Sequence, residues 1–201
     1  MCGVTGFVDK NNKLTIGRRA QIVDEMLSLI NHRGGDAIGI EAYGLTTTGH
    51  TRLSIVDKDK RADQPFVSGR AILSFNGEIY NHKDLRNKYI KRRLDSYSDT
   101  ATLFELLQSE PMEEVLKNIH GMYAFSYINK QKKILTLASD KFSIKPLYYI
   151  NTPDYFAWAS EVKAFKAIPG FKFQLNADCL EEYLIYRYVA GERTLFSKVN
   201  K

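Results

Sequence analysis

Cysteine is scarce in this sequence, which has only Cys2 and Cys179 among its 201 residues. Two thiols so far apart do not make a disulfide framework, and no C-x-x-C pair indicates a zinc site. The four histidines are isolated from one another as well. The sequence therefore gives no reason to expect a structural metal, and a reducing cytoplasm is the compartment that fits it best.

Long apolar runs are missing too. No segment approaches the ~18 residues that a membrane span needs, and the N-terminus lacks the charged start and apolar stretch of a secretory signal. We therefore expect no membrane partner. The net charge is +6, but the basic residues are scattered apart from short clusters at 91–93 and 130–133. These clusters are not interleaved with aromatic residues and are typical of a solvated face, so we expect no nucleic-acid partner either.

The hydrophobic content of 44% is enough for a substantial core. Alternating and short apolar runs predict strands over residues 2–9, 37–43, 44–48, 52–56, 71–75, 122–128, 134–139, 147–150 and 155–159. Helical spacing of apolar residues and capping signals predict helices over residues 17–32, 82–90, 100–108, 111–118, 161–167 and 177–188. Strands and helices are segregated rather than strictly alternating, which favours an α+β fold with packed antiparallel sheets. Residues 1–201 show no linker or repeat, so we expect a single domain.

Cys2 directly follows the initiator methionine. Removal of Met1 would leave a cysteine that carries both a thiol and a free α-amino group. The amine titrates near ~7.7–8.0 and the thiol near ~8.5, so the amine is suited to accept the thiol proton. Gly3 beside it is expected to leave room for a substrate. Taken alone, this residue favours the simpler interpretation of a cysteine buried in a strand by chance.

Asn76 and Gly77 follow an apolar strand and begin the hexapeptide Asn-Gly-Glu-Ile-Tyr-Asn. An Asn side-chain N–H and the next backbone N–H make a plausible pair of donors for a developing oxyanion. The same dipeptide is typical of a hairpin turn. The residues alone leave both interpretations open.

Several short motifs occur in the order seen in class II glutamine amidotransferases. They are Met1-Cys2-Gly3-Val4-Thr5-Gly6, His32-Arg33-Gly34-x-Asp36, Arg52-Leu53-Ser54-Ile55-Val56-Asp57, Asn76-Gly77-Glu78-Ile79-Tyr80-Asn81-His82, Ser98-Asp99-Thr100 and Lys145-Pro146-Leu147-Tyr148-Tyr149. The third and fourth resemble the glutamine-hydrolysing asparagine synthetases most, as do residues 160–164 and 193–196. The resemblance runs nearly end to end. It implies the N-terminal-nucleophile hydrolase fold, a four-layer αββα sandwich of two antiparallel sheets flanked by helices.

The resemblance also implies roles for individual residues. Cys2 matches the nucleophile that attacks the carboxamide carbon of glutamine, and Asn76 and Gly77 match the oxyanion hole. The matches for substrate binding are Arg52 for the α-carboxylate, the backbone of Leu53, Ser54, Ile55 and Val56 for the pocket wall, and Glu78 and Asp99 for the α-ammonium. A zwitterionic substrate does need a cation and an anion at a fixed separation.

Each binding residue also has a simpler interpretation. Arg52 could lie on the surface of an edge strand, Asp99 could serve only as a helix N-cap, and Glu78 could form a structural salt bridge. The sequence departs from the family pattern in loops: Gly35 replaces a usual proline, and Ser143 replaces a usual glycine. These departures concern the shape of the loops and the coupling to a partner domain.

Family members of this type continue into a synthetase domain with a Ser-Gly-Gly-x-Asp-Ser nucleotide loop, which this sequence lacks. We therefore expect an amidotransferase portion of a longer protein, with glutamine and a C-terminal ATP-dependent synthetase domain as partners. This portion needs no cofactor for its half-reaction, and ATP and magnesium are expected only in the absent domain. A homodimer is an open possibility. Two alternatives are an amidotransferase that makes an amino sugar or a purine precursor, and a catalytically silent scaffold of the same fold.

Overall fold

The computed structural model describes residues 1–54 and 59–201. The strands in this part of the chain are β1 (Gly3–Asp9), β2 (Ala37–Tyr43), β3 (Thr46–Arg52), β4 (Phe66–Val67), β5 (Ala71–Ile79), β6 (Gly121–Asn129), β7 (Ile134–Ser139), β8 (Tyr148–Asn151) and β9 (Tyr155–Ala159). They form a five-stranded sheet in the order β2-β3-β1-β9-β8 and a four-stranded sheet in the order β4-β5-β6-β7. Every strand pair in both sheets is antiparallel.

The helices cover the outer faces of the two sheets. They are α1 (Ile16–Leu29), α2 (His82–Tyr89), α3 (Asp99–Ser109), α4 (Met112–Asn118) and α5 (Leu180–Tyr186), with 3-10 turns at Asn31–Arg33, Lys60–Ala62, Val162–Ala167 and Ala177–Cys179. Helix α1 packs on the five-stranded sheet and α3 on the four-stranded sheet, while β1 and β3 contact β5 between them. The predicted α+β class and four-layer αββα sandwich are confirmed.

Each sheet shares a separate hydrophobic core with its helices. The first core contains Val23, Met26, Leu27 and Ile30, the apolar face that the sequence predicts, and each of these residues is fully buried. Burying one such side chain contributes roughly 1.5–3 kcal/mol. The second core lies between α3 and β5 and β6. Cys179 is buried, as expected for a core residue.

Three predictions about local structure are wrong. Asn76 and Gly77 do not form a turn, because β5 continues through both and pairs with β6 as far as Ile79. Asp99 is not the N-cap of α3, since the Ser98 side chain accepts the hydrogen bond from the backbone N–H of Ala101. Residues 162–167 form a 3-10 helix rather than an α-helix.

Several element boundaries also differ from the prediction. The two strands predicted over 37–43 and 44–48 are the hairpin of β2 and β3, whose turn contains Gly44 at a φ of +57°. Of the strand predicted over 52–56, only Arg52 lies in a strand, as the last residue of β3; residues 53 and 54 are irregular, and residues 55 and 56 fall outside the described residues. None of the helices in the described part of the chain is long and apolar enough to cross a membrane.

Candidate active site

A pocket at one end of the sandwich collects most of the predicted site residues. Its lining comprises Met1, Cys2, Arg52, Leu53, Ala62, Gln64, Phe75, Asn76, Gly77, Glu78, Ser98, Asp99, Thr100, Met122 and Lys145. The start of β1, the ends of β3 and β5 and the start of α3 therefore meet there. Ser54 is not among the lining residues, and its backbone N–H donates to Asp36 at 2.7 Å. Ile55 and Val56 lie outside the described residues.

The thiol of Cys2 lies against the backbone of Leu53. The Leu53 N–H donates to Sγ at 3.4 Å, and the thiol faces the Leu53 carbonyl at 3.8 Å. Burial raises the pKa of the Cys2 thiol, although the Leu53 N–H, the N-terminal charge and Arg52 act in the opposite direction. The thiol is therefore protonated at neutral pH, and a nucleophilic role for it requires a nearby base.

Gly3 does not open space for a ligand, contrary to the expectation from the sequence. A Cβ atom at Gly3 would lie 2.7 Å from Cδ1 of Ile30 and 2.8 Å from Cγ2 of Thr51. The glycine is needed because α1 and β3 pack closely against the first residue of β1. Its contribution to the site is to hold Cys2 close to the core.

Beside the pocket, the backbone of β5 has an N–H group that finds no acceptor among the described residues. Just before and just after β5, Lys130 donates to the Arg70 carbonyl and Tyr80 donates to the His120 carbonyl. Because hydrogen-bonded pairs alternate along an antiparallel ladder, the even-numbered residues of β5 are the ones that bond to β6. The odd-numbered residues point their N–H groups away from β6. Gln64 accepts from Phe75 at 2.7 Å and Asp99 accepts from Ile79 at 2.9 Å.

Gly77 lies between these two satisfied positions on the same edge. Within the described residues its N–H has no protein acceptor, because β4 pairs only with Leu73 and Ile72. A Cβ atom at Gly77 would lie 2.3 Å from the carbonyl oxygen of Met122, so no other residue fits there. Close packing, and not a turn, explains this glycine.

The Asn76 side chain supplies a second donor. The residue is 1% exposed, and its Nδ2 atom has no hydrogen-bond partner in the described part of the chain. A buried amide N–H without an acceptor is costly, by roughly 1–3 kcal/mol. Together with Gly77, it gives the pocket two donors that an incoming anionic oxygen could satisfy.

His50 supports the strand that carries these donors. It is fully buried, and its Nε2 lies 3.0 Å from the carbonyl oxygen of Phe75. Burial lowers the pKa of His50 from 6.5 to about 3. The ring is therefore neutral, and because a carbonyl only accepts, Nε2 carries the proton.

The buried neutral ring predicts a pH dependence of stability. The folded protein does not protonate His50 until about pH 3, whereas the unfolded chain does so near 6.5. The contribution of the neutral ring to the free energy of unfolding is fully present above pH 6.5. Below that pH it falls by about 1.4 kcal/mol per pH unit. We expect the stability difference between wild type and His50→Gln to shrink by about 2 kcal/mol from pH 7 to pH 5 in urea unfolding. His120→Gln, at an exposed site, is the control; an unchanged difference for His50→Gln would contradict the assignment.

Arg52 is buried inside the sheet, so its interpretation as a surface residue of an edge strand is wrong. It is 6% exposed at the end of β3, which lies between β2 and β1. One guanidinium nitrogen donates to the Asp63 carboxylate at 2.6 Å and to the Asp59 carbonyl at 3.2 Å. These bonds fix the side chain in the pocket wall.

The two predicted carboxylates occupy different environments. Asp99 is 5% exposed and accepts from the N–H groups of Ile79 and Thr100 at 2.9 and 2.8 Å. Burial raises the pKa of Asp99, and these two hydrogen bonds offset part of the effect. Glu78 is exposed at the mouth, and it forms no salt bridge among the described residues.

Three further residues take part in the site, although the sequence analysis gave them no role. Arg33 donates from Nε to the Cys2 carbonyl at 2.9 Å. Lys145, 7% exposed, lines the pocket at the end of a loop whose N–H groups are held by the Asp140 carboxylate. Arg33 and Lys145 belong to motifs of the family resemblance, so a signal existed for both. Gln64 had none.

The fold and this pocket define a class II glutamine amidotransferase domain. The chain belongs to that family, since the sequence profile described as "Glutamine amidotransferase domain" matches residues 1–201. It is 31% identical over 205 residues to asparagine synthetase [glutamine-hydrolyzing] 1 of Bacillus subtilis, covering 100% of this chain and 32% of that protein. It is 36% identical over 152 residues to asparagine synthetase B of Escherichia coli, covering 74% of this chain and 26% of that protein.

A solved structure shares the fold. Glutamine phosphoribosylpyrophosphate amidotransferase from Bacillus subtilis, complexed with ADP and GMP, superposes with a TM-score of 0.69 at 21% identity, covering 83% of this chain and 43% of that one. This likeness supports the architecture only. The present chain spans about a third of the length of the B. subtilis synthetase.

Proposed function

We propose that this chain hydrolyses glutamine to glutamate and ammonia, with Cys2 as an N-terminal nucleophile. The observation that supports this most is a pair of donors in the pocket that contains the Cys2 thiol: Asn76 Nδ2 and the Gly77 N–H have no acceptor among residues 1–54 and 59–201. Acyl transfer from an amide needs a nucleophile and preorganised donors for the oxyanion.

The chemistry proceeds in two halves once Met1 is removed. The α-amine of Cys2 accepts the thiol proton, and the thiolate attacks the carboxamide carbon of glutamine. Asn76 and Gly77 donate to the resulting oxyanion. The C–N bond then breaks as the α-ammonium returns the proton to the leaving nitrogen, which departs as ammonia. Water, activated by the same amine, attacks the glutamyl thioester and releases glutamate and the free thiol.

Substrate recognition in this proposal follows from the charges of the pocket. Arg52 receives the α-carboxylate of glutamine, and Leu53 lines the same wall. Asp99 and Glu78 receive the α-ammonium. The buried Asp99 gives the stronger contact of the two, because it is less screened by water than the exposed Glu78.

We further propose that the ammonia passes to an ATP-dependent synthetase domain that amidates a carboxylate. The names of the B. subtilis and E. coli relatives support asparagine synthesis, with aspartate as acceptor. The purine-type amidotransferase shares the fold at 21% identity, which gives little support to that alternative.

The direct test is release of glutamate and ammonia from glutamine by protein that lacks Met1. We expect equal amounts of both products and no turnover of asparagine, whose shorter side chain does not bring the carboxamide to the thiol. Absence of turnover in correctly processed full-length protein would favour the silent scaffold.

Asp99→Asn tests the substrate role of this carboxylate. The amide keeps an oxygen for the Ile79 N–H but has no second one for the Thr100 N–H, so the fold should be retained with some loss of stability. The charge opposite the substrate ammonium is lost. Because a hydrogen bond to a charged group is worth about 1.5–3 kcal/mol, we expect the KM for glutamine to rise about ten- to a hundredfold. Steady-state kinetics with a thermal melt checks this. An unchanged KM in a folded variant would show that Asp99 does not bind the substrate and serves only its contacts with β5 and α3.

A further inference from the structure

A buried arginine holds the backbone of Cys2. Arg33 is 7% exposed, and its Nε donates to the Cys2 carbonyl at 2.9 Å. Its terminal nitrogen NH1 donates to Oε1 of Glu161 at 2.9 Å. One guanidinium therefore joins the candidate nucleophile to a carboxylate 128 positions beyond Arg33.

Hydrogen bonds of the neighbouring residue Ser160 hold Glu161 next to strand β1, which begins beside Cys2. Ser160 donates its backbone N–H to the Val4 carbonyl at 2.9 Å. The Ser160 hydroxyl accepts from the Val4 N–H, also at 2.9 Å. The position of the Glu161 backbone is thus tied to β1 only two residues beyond Cys2.

The Glu161 carboxylate also contacts two other basic side chains. Its Oε1 also lies 2.8 Å from Nε2 of His32, and its Oε2 lies 3.1 Å from Nζ of Lys163. The Arg33 side chain is 6% exposed, whereas those of His32 and Lys163 are 54% and 51% exposed. The contact with Arg33 is therefore the least screened of the three, and it is the one that leads to Cys2.

An N-terminal nucleophile has a particular need for such a clamp. Without Met1, Cys2 is joined to the rest of the chain on one side only, and its α-amine and thiol depend on the orientation of its own carbonyl. The guanidinium fixes that carbonyl, and the carboxylate fixes the guanidinium. Misplacement of a reacting group by ~1 Å can reduce a rate about 10²-fold.

We propose that Glu161 is a positioning residue that acts through Arg33 to orient the α-amine and thiol of Cys2. This inference rests on the proposed function. Glu161 is not among the described residues that line the pocket. Its loss should therefore affect the chemical step and not the binding of glutamine.

The test compares Glu161→Ala and Glu161→Gln with wild type, all lacking Met1 and in the full-length protein. We expect kcat to fall at least about tenfold in Glu161→Ala, and less in Glu161→Gln, which keeps an acceptor for Arg33. The KM for glutamine should stay within about twofold. Lys163→Ala is the matched control, because it removes a cation from the same carboxylate without touching Arg33, and its kcat should not change.

A second measurement separates this proposal from the proposed function. The rate of Cys2 alkylation by iodoacetamide, mapped by peptide mass and followed against pH, reports the thiol and amine without any turnover. We expect the midpoint to shift in Glu161→Ala and not in Lys163→Ala. An unshifted midpoint, or an unchanged kcat in folded Glu161→Ala, would overturn the role of Glu161. A shifted midpoint without glutamine hydrolysis by wild type would overturn the proposed function alone.

Discussion

Replacing Cys2 with alanine is expected to abolish glutamine hydrolysis while leaving the fold intact. No other thiol lies in the pocket, since the remaining cysteine, Cys179, is fully buried elsewhere. Removing a covalent nucleophile typically costs about 10⁶-fold in kcat, as in serine proteases. The measurement is ammonia release from glutamine, with circular dichroism to verify folding.

A chain that keeps Met1 should be equally inactive, because the nitrogen of Cys2 is then an amide and cannot accept the thiol proton. Intact mass after treatment with 6-diazo-5-oxo-norleucine provides the comparison. Processed wild type should gain one adduct, mapped to Cys2, and neither Cys2→Ala nor the Met1-retaining form should react. Hydrolysis by either form at a rate near that of wild type would refute the mechanism.

Asn76→Ala should reduce kcat by about 10²–10³-fold, the usual cost of deleting one oxyanion donor. The expectation rests on the buried Nδ2, which has no partner in the described residues. Because this donor is used in the transition state and little in the ground state, the KM for glutamine should change less than kcat.

Asn81→Ala is the matched control, since it removes an asparagine of the same motif. Its side chain donates to the Asn118 carbonyl and accepts from the His120 N–H, away from the pocket. We expect that variant to lose stability and keep kcat. Equal kcat values for Asn76→Ala and wild type would assign the oxyanion to other donors.

The helices could be predicted because their signals are local. The buried face of α1 follows from the spacing of Val23, Met26, Leu27 and Ile30. The turn signal of Asn76-Gly77 is also local, and here it gave the wrong structure. The pairing with β6 and the close approach of the Met122 carbonyl are tertiary contacts that this signal does not contain. Tertiary context therefore overrides the local preference in β5.

The pocket could not be predicted from periodicity. Four segments meet there, and nothing in their spacing places Cys2 beside Leu53 or Asp99 beside Ile79. The family resemblance placed the predicted residues together, because it carries tertiary information that a single pattern lacks. Gln64 illustrates the limit: its contact with Phe75 depends on two segments packing side by side.

The structure explains one departure from the family pattern, the serine at position 143. Ser143 has a φ of +51°, in the left-handed region where glycine is favoured. The usual glycine therefore reflects backbone geometry, and the serine here pays a conformational cost that the Asp140 contacts help to offset. Hydrogen bonds from the backbone N–H groups of this loop hold the pKa of Asp140 below its usual range, although burial acts in the opposite direction.

The first residue of the chain has a further consequence. Met1 is part of the pocket wall, and its sulfur approaches the Arg33 guanidinium. If Cys2 is the nucleophile, a chain that still carries Met1 is a zymogen, and removal of Met1 is its activating step. Any peptide fused ahead of Met1 and left in place would then produce a folded protein that never becomes an enzyme.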